Sequence, residues 1–162
     1  MIPRFKADLG FDEIFASVAF WRTETVNSFE KTFASKFNQR RAVSFPYGRT
    51  GLLVLIKALG FRNCEIICPA YTCVVVAHAI VKSGNSPVFV DCQDDANMDI
   101  DAVEKAITDN TKAIIFTSIH GHPVDLERVQ RVKEEYPHII FIQDCAHSFA
   151  ATWKNTPVQT IC

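Results

Sequence analysis

The sequence predicts an α/β fold: a mostly parallel sheet with helices on both faces. Three observations predict it. Short runs of Ile, Val and Phe recur that are apolar at successive positions rather than alternate ones, as in strands buried on both faces. Segments with helical spacing separate these runs, the order expected of strand–helix–strand units. Gly and Pro stand at many of the joins, where the chain must turn.

Thr23–Phe37 (TETVNSFEKTFASKF) reads as a helix, with Val26, Phe29, Phe33 and Phe37 on one face and Thr23 or Thr25 as its cap. Ala42–Phe45 reads as a short strand ahead of Pro46-Tyr47-Gly48, and Thr50–Leu59 as an apolar helix stopped by Gly60. Glu65–Cys68 is a strand ending at Pro69, and Thr72–Lys82 a helix closed by Ser83-Gly84. Pro87–Asp91 is a strand, and Ile100–Thr108 a helix with Asp99 as N-cap. Lys112–Thr117 is a strand, and Asp125–Tyr136 a helix with alternating outer charges, stopped by Pro137. Ile139–Asp144 is the last strand. Residues 1–40 read as an N-terminal helical segment and 41–162 as the body of the α/β domain.

Composition narrows the function. The chain has 162 residues, enough to bury a core without disulfides or metal. Its 17 Lys and Arg against 18 Asp and Glu leave a net charge of −1, which disfavours a general nucleic-acid binder. The N-terminus lacks the apolar stretch of a secretory signal, and no run nears the roughly 18 apolar residues of a membrane span. The expected location is cytoplasmic. The six cysteines form no CxxC pair and several lie in apolar runs, so they read as small buried hydrophobes of a reducing compartment.

In open parallel sheets, ligands bind beyond the carboxyl ends of the strands. That rule selects Gly48, Arg49 and Thr50; Tyr71, Thr72 and Cys73; His120 and His122; and Asp144 and His147. Gly48-Arg49-Thr50 opens a helix, whose free N–H groups and partial positive charge suit a phosphate. The same three residues also read as a turn with Thr50 as a cap. Asp144 closes an apolar strand, where a carboxylate is costly without a metal, a protonated ring nitrogen or backbone donors as partner. It also reads as a cap for the segment that follows. His120-Gly121-His122, with only Asp125 nearby, is a poor zinc site and reads as an acid/base or structural loop. His78, inside an apolar helix, reads as a core residue, and His138 as a surface one.

These segments in order resemble a known family. The Gly-Arg-Thr helix start is followed by CPAYTCVVVAHAIVKSGNSPVFVD, MDIDAVEKAITDNTKAII, HGHPVDLERV and IIFIQDCAHSFAA. From about Phe29 onward the chain is similar to the N-terminal part of the DegT/StrS family, pyridoxal-phosphate-dependent sugar aminotransferases of fold type I. The resemblance implies a partial fold type I large domain, with pyridoxal phosphate as cofactor. Asp144 matches the carboxylate that pairs with the cofactor's pyridine nitrogen, and His147 the residue near its phenolic oxygen. Gly48 and Arg49 match the Gly-Thr pair at the phosphate, with Thr50 directly after. Cys73 stands where an aromatic ring often stacks on the cofactor, and Tyr71 is two residues away.

The resemblance also implies what the 162 residues lack. The Schiff-base lysine of the family lies past the strand-end Asp, and no lysine here, Lys154 included, matches it. Residues 41–162 are then an incomplete cofactor-binding large domain, without the small C-terminal domain. Strands from the missing part lie between the first strand and the others, so sheet edges stay open. The implied activity is amino transfer to a nucleotide-linked keto-sugar from an amino donor, in a parent that forms a homodimer, with this chain alone inactive. The alternatives are a non-catalytic fragment that binds the cofactor or a partner, and a lysine-free sugar dehydratase relative. A nicotinamide-binding enzyme is disfavoured because GxGxxG is missing.

Overall fold

A computed structural model describes residues 10–17 and 23–160. The chain divides into two compact units, Met1–Ser44 and Phe45–Cys162.

The first unit holds α1 (Phe11–Ser17) and α2 (Thr23–Lys36). On α2 the rings of Phe29 and Phe33 are 5.8 Å apart, and those of Phe33 and Phe37 are 4.9 Å apart. Ala34 and Phe37 are buried, whereas Val26 and Phe29, expected on the buried face, are exposed. The strand expected at Ala42–Phe45 does not form. A strand needs a neighbour for its backbone groups, and none pairs with this segment among the described residues. The Glu30 carboxylate instead accepts from the Ser44 backbone N–H at 2.7 Å and the Ser44 hydroxyl at 2.8 Å.

These two bonds favour the ionised acid and hold the Glu30 carboxyl below its ordinary 4.5, the backbone bond being the larger cause. A lowered folded value means that the tie is present above pH 4.5 and lost as the pH falls below it. The Ser44 amide resonance is expected to titrate with a midpoint below 4.5, and Glu30→Gln is expected to remove that titration. A midpoint at or above 4.5 would contradict the bond.

The second unit carries a four-stranded sheet, β1 (Glu65–Pro69), β2 (Ser86–Val90), β3 (Thr111–Thr117) and β4 (Ile140–Asp144), in spatial order β2-β1-β3-β4. Every neighbouring pair is parallel. Helices α3 (Gly48–Ala58), α4 (Val74–Lys82), α5 (Ile100–Ala106) and α6 (Leu126–Glu135) connect or precede the strands. Successive strand residues point to opposite faces, and the two cores follow that alternation. Ile66, Cys68, Ala113 and Ile115 pack with Ile56 of α3 and with Val76 and Ile80 of α4. Ile67, Ile114 and Phe116 pack with Val103 of α5 and with Leu126, Val129 and Val132 of α6. Central β3 is buried along most of its length, while β4, which among the described residues pairs only with β3, is half-buried.

Two helix starts, those of α5 and α6, follow capping carboxylates. The Asp99 carboxylate accepts from the Asp101 N–H, as expected for an N-cap. Asp125 is also a cap rather than a helical residue; its Oδ1 accepts from the Glu127 and Arg128 N–H groups at 3.1 Å each. Arg128 returns to α5 in an ion pair with Asp101. Asp125→Ala is expected to destabilise the unit by about 1 kcal/mol, read as a lower urea midpoint with unchanged slope; no change would deny the cap.

Helix α4 begins at Val74, not Thr72, because Thr72 is engaged elsewhere. It meets the core through Val76, Ala79 and Ile80. That spacing turns His78 to the other side, so His78 is exposed and not a core residue. After β4, a two-residue turn joins β5 (Thr152–Trp153) to β6 (Thr156–Pro157). Lys154 and Asn155 hold it with φ of 47° and 67°, the left-handed values such a turn requires.

Candidate functional site

Parallel pairing sends the ends of β1, β3 and β4 to the same edge of the sheet. Thr117 and Asp144, the last residues of β3 and β4, are register partners. The Asp144 carbonyl accepts from the Ser118 N–H at 3.2 Å, which extends the pairing one residue past β3. Residues distant in sequence then meet. The Thr72 and Thr117 hydroxyls lie 3.2 Å apart. The Tyr71 hydroxyl lies 3.3 Å from His120 Nε2. The rings of His120 and His147 stack with centroids 5.9 Å apart and planes 24° from parallel.

Asp144 alternates with Gln143, so its side chain shares the sheet face of Ile142, the face that α3 and α4 cover. Its Oδ1 accepts from the Ala146 N–H at 3.0 Å. That bond starts a tight loop, closed by Ser148 N–H donating to the Cys145 carbonyl at 3.0 Å. The carboxylate thus caps its loop, and its remaining lone pairs stay available. Among the described residues no group of three or more His, Cys, Asp or Glu is placed to hold a metal ion.

Gly48, Arg49 and Thr50 stand at the start of α3. The residue that precedes this helix is Tyr47, and no side chain caps it. Thr50 lies within the first turn and is not the cap. The Tyr47 carbonyl accepts from the Thr50 and Gly51 N–H groups at 3.0 and 3.2 Å. The Gly48 and Arg49 amides precede those bonds and have no acceptor within the helix. No acidic residue lies in the first turn, so no side chain of that turn offsets the positive end of the helix dipole. A Cβ built on Gly48 would meet nothing within 4 Å, which leaves the backbone open to an approaching anion. The Arg49 guanidinium lies 5.2 Å over the Tyr47 ring. The short link Leu59–Cys64 returns the chain from the end of α3 to the start of β1. Gly48 therefore lies toward the same sheet edge as Asp144.

The structure brings Asp144 and His147 onto one loop and adds Tyr71, Thr72, Thr117 and His120 around it. Gly48, Arg49, Thr50 and Cys73 keep to local positions at two helix starts. Cys73 precedes α4 in an extended conformation and is exposed. Thr117 and Ser118 did not emerge from the sequence; only the β3–β4 register marks them. Lys154 lies in the hairpin turn, paired with Glu127 and 5.9 Å over the Trp153 ring.

The described cysteines are free thiols: Cys68 is buried, Cys73 exposed, and Cys64, Cys92 and Cys145 lie between. Burial pushes the Cys68 thiol up to about 12, leaving almost no thiolate at neutral pH. Among the described cysteines, Cys73 is expected to react first with a disulfide reagent, and Cys68 only on unfolding. Mass mapping of partial labelling checks that order; early labelling of Cys68 would refute it.

The sequence pattern of the DegT/DnrJ/EryC1/StrS aminotransferase family matches residues 8–161. The chain belongs to that family. The match reaches further toward the N-terminus than the resemblance seen from Phe29. GDP-perosamine synthase of Escherichia coli O157:H7 is 31% identical over 137 residues, covering 83% of this chain and 37% of that protein. The candidate sugar aminotransferase of Streptococcus pneumoniae, in its apo form, superposes with a TM-score of 0.89 at 26% identity, over 99% of this chain and 46% of that one. The Escherichia coli GDP-4-keto-6-deoxy-D-mannose-3-dehydratase with bound hydrated PLP superposes with a TM-score of 0.83 at 28% identity, over 94% and 42%. The chain spans less than half the length of each of these relatives. No described helix is long and apolar enough to cross a membrane.

Proposed function

We propose that this chain is the cofactor-anchoring part of a pyridoxal-phosphate-dependent aminotransferase acting on nucleotide-linked sugars. The observation that carries the reading is the placement of Asp144 at the end of β4, on the sheet face covered by α3. The start of α3 offers amides with no acceptor within the helix and no acid in its first turn. A carboxylate and an anion-binding helix start on one face fit the two ends of a pyridine ring that bears a phosphate.

In this reading the Gly48 and Arg49 amides and the Thr50 hydroxyl bind the phosphate. Asp144 holds a proton on the pyridine nitrogen by charge and hydrogen bond. His147, three residues on in the same tight loop, faces the ring's oxygen edge. Bound pyridoxal phosphate supplies an electron sink for a carbon that loses its proton. Cys73 brings no aromatic face, so the ring's stacking partner is not at that position. Lys154 is committed to Glu127 and Trp153, and we assign no Schiff-base lysine within these residues. The substrates would be a nucleotide-linked keto-sugar and an amino donor, and the working form a homodimer.

The likeness to the dehydratase with bound hydrated PLP supports a second reading, a sugar dehydratase with the same cofactor anchor. Where the coding sequence continues after Cys162, the residue at the Schiff-base position separates the two. Lysine favours the aminotransferase, and histidine the dehydratase.

The chain itself tests the shared part. Pyridoxamine 5′-phosphate is expected to bind reversibly, followed by its own fluorescence. Pyridoxal phosphate followed by borohydride is expected to label no single lysine preferentially. Failure of pyridoxamine 5′-phosphate to bind would reject the anchor. One dominant labelled lysine, lost with a single Lys→Ala change, would reject the assignment of no Schiff-base lysine.

A further inference from the structure

Three rings lie across the strand ends in the order of the strands themselves. Tyr71 follows β1, His120 follows β3, and His147 follows β4. The Tyr71 hydroxyl is 3.3 Å from His120 Nε2, with ring centroids 6.1 Å apart. The His120 ring stacks on His147 at 5.9 Å, within the range of attractive aromatic pairs.

The backbone at the middle ring is left-handed. His120 has φ of 52° and Gly121 has φ of 84°. A non-glycine residue in the left-handed region is strained and persists only where its surroundings hold it. Here they do. The Ile119 N–H donates to Asn97 Oδ1 at 3.3 Å, and Asn97 is itself buried. The His122 N–H donates to the Ile119 carbonyl at 2.8 Å, and the Ser118 N–H to the Asp144 carbonyl at 3.2 Å. Gly121 comes close to the loop of His147, since a Cβ there would stand 3.8 Å from the His147 carbonyl.

Burial does not explain this arrangement. Tyr71 is 54% exposed, and His120 and His147 are also exposed. A strained residue that orders three exposed rings contributes little to the core. What it accomplishes is orientation, because the His147 imidazole has a fixed face against it.

We propose that Tyr71 and His120 are positioning residues for the cofactor site. The Tyr71 hydroxyl fixes the His120 ring, and the His120 ring sets the plane in which His147 meets the cofactor's edge. The proposal rests on the reading that Asp144 and His147 flank pyridoxal phosphate. It adds two residues from two other strands, and a route by which the end of β1 governs a ring on the loop after β4.

The experiment uses the chain itself, with pyridoxamine 5′-phosphate as probe. The readouts are the probe's dissociation constant, the His147 ring proton resonances and the unfolding midpoint. His120→Ala is expected to shift the His147 resonances, by removing the ring current, and to weaken the probe about fivefold to tenfold. Tyr71→Phe is expected to act in the same sense at about threefold, a lost hydrogen bond at an exposed site. Neither is expected to move the unfolding midpoint, which a purely structural cluster would. His120→Phe keeps the stacked face and loses Nε2. It is expected to rescue the His147 resonances and to leave Tyr71→Phe without further effect in the double variant.

If Asp144→Ala weakens probe binding tenfold or more while Tyr71→Phe and His120→Ala bind like the parent, the positioning role is overturned and the cofactor reading stands. If no form binds the probe, the cofactor reading falls and the positioning role falls with it.

Discussion

Replacing Asp144 by alanine is expected to weaken pyridoxamine 5′-phosphate binding by roughly ten- to one-hundredfold. A hydrogen bond to a charged partner is worth about 1.5–3 kcal/mol, and each 1.4 kcal/mol is tenfold. The unfolding midpoint is expected to stay nearly unchanged. The bond that the carboxylate makes to the Ala146 N–H is exposed, and water replaces such a bond at little cost. Asp144→Asn separates charge from shape. Its side-chain oxygen still accepts from Ala146, but in the proposed site it would not hold a proton on a pyridine nitrogen by charge. The asparagine variant is expected to lose most of the affinity. Parent-like affinity in Asp144→Asn would remove the ring-nitrogen role.

Phe116→Ala is expected to cost about 3–5 kcal/mol of stability, a large share of the 5–15 kcal/mol that a typical domain has. Phe116 is 1% exposed and lies on the central strand β3. Its ring stacks on Phe141 at 5.7 Å with planes 13° apart, and its core joins the sheet to α5 and α6. Truncation there leaves a cavity that a close-packed interior closes poorly. Ile140→Ala is the contrast. Ile140 is 39% exposed on edge strand β4, so its loss is expected to cost about 1 kcal/mol or less. Urea unfolding measures both. Equal midpoints would mean that the core face of β3 does not govern the stability of the unit.

Much of the fold could be read from local pattern. The runs EIIC and KAIIFT carry apolar residues at consecutive positions, and both form strands buried on two faces. Asp99 caps as read, because a capping carboxylate acts within a few residues of itself. Other expectations failed where the deciding partner is distant. The segment Ala42–Phe45 has strand-like residues but no neighbouring strand among those described. Thr72 bonds to Thr117 across 45 positions, and α4 starts two residues later than its pattern suggests. His78 sits in an apolar stretch, yet the side that α4 presents to the sheet is that of Val76, Ala79 and Ile80.

The candidate site divides along the same line. Asp144, His147 and the Gly48-Arg49-Thr50 start were visible in the sequence, because a polar residue at the end of an apolar strand or the head of a helix is a local signal. That Tyr71, His120 and His147 form one array was not visible. Their meeting depends on the order β1-β3-β4 and on the register of Thr117 with Asp144. By itself the sequence determined the alternation of strands and helices, the Asp99 cap and the acid at a strand end, all set by neighbours a few residues away. Only the tertiary structure decided which strand found a partner, which helix face was covered and which rings touched. Those outcomes rest on pairings between segments tens of residues apart, and no local spacing encodes them.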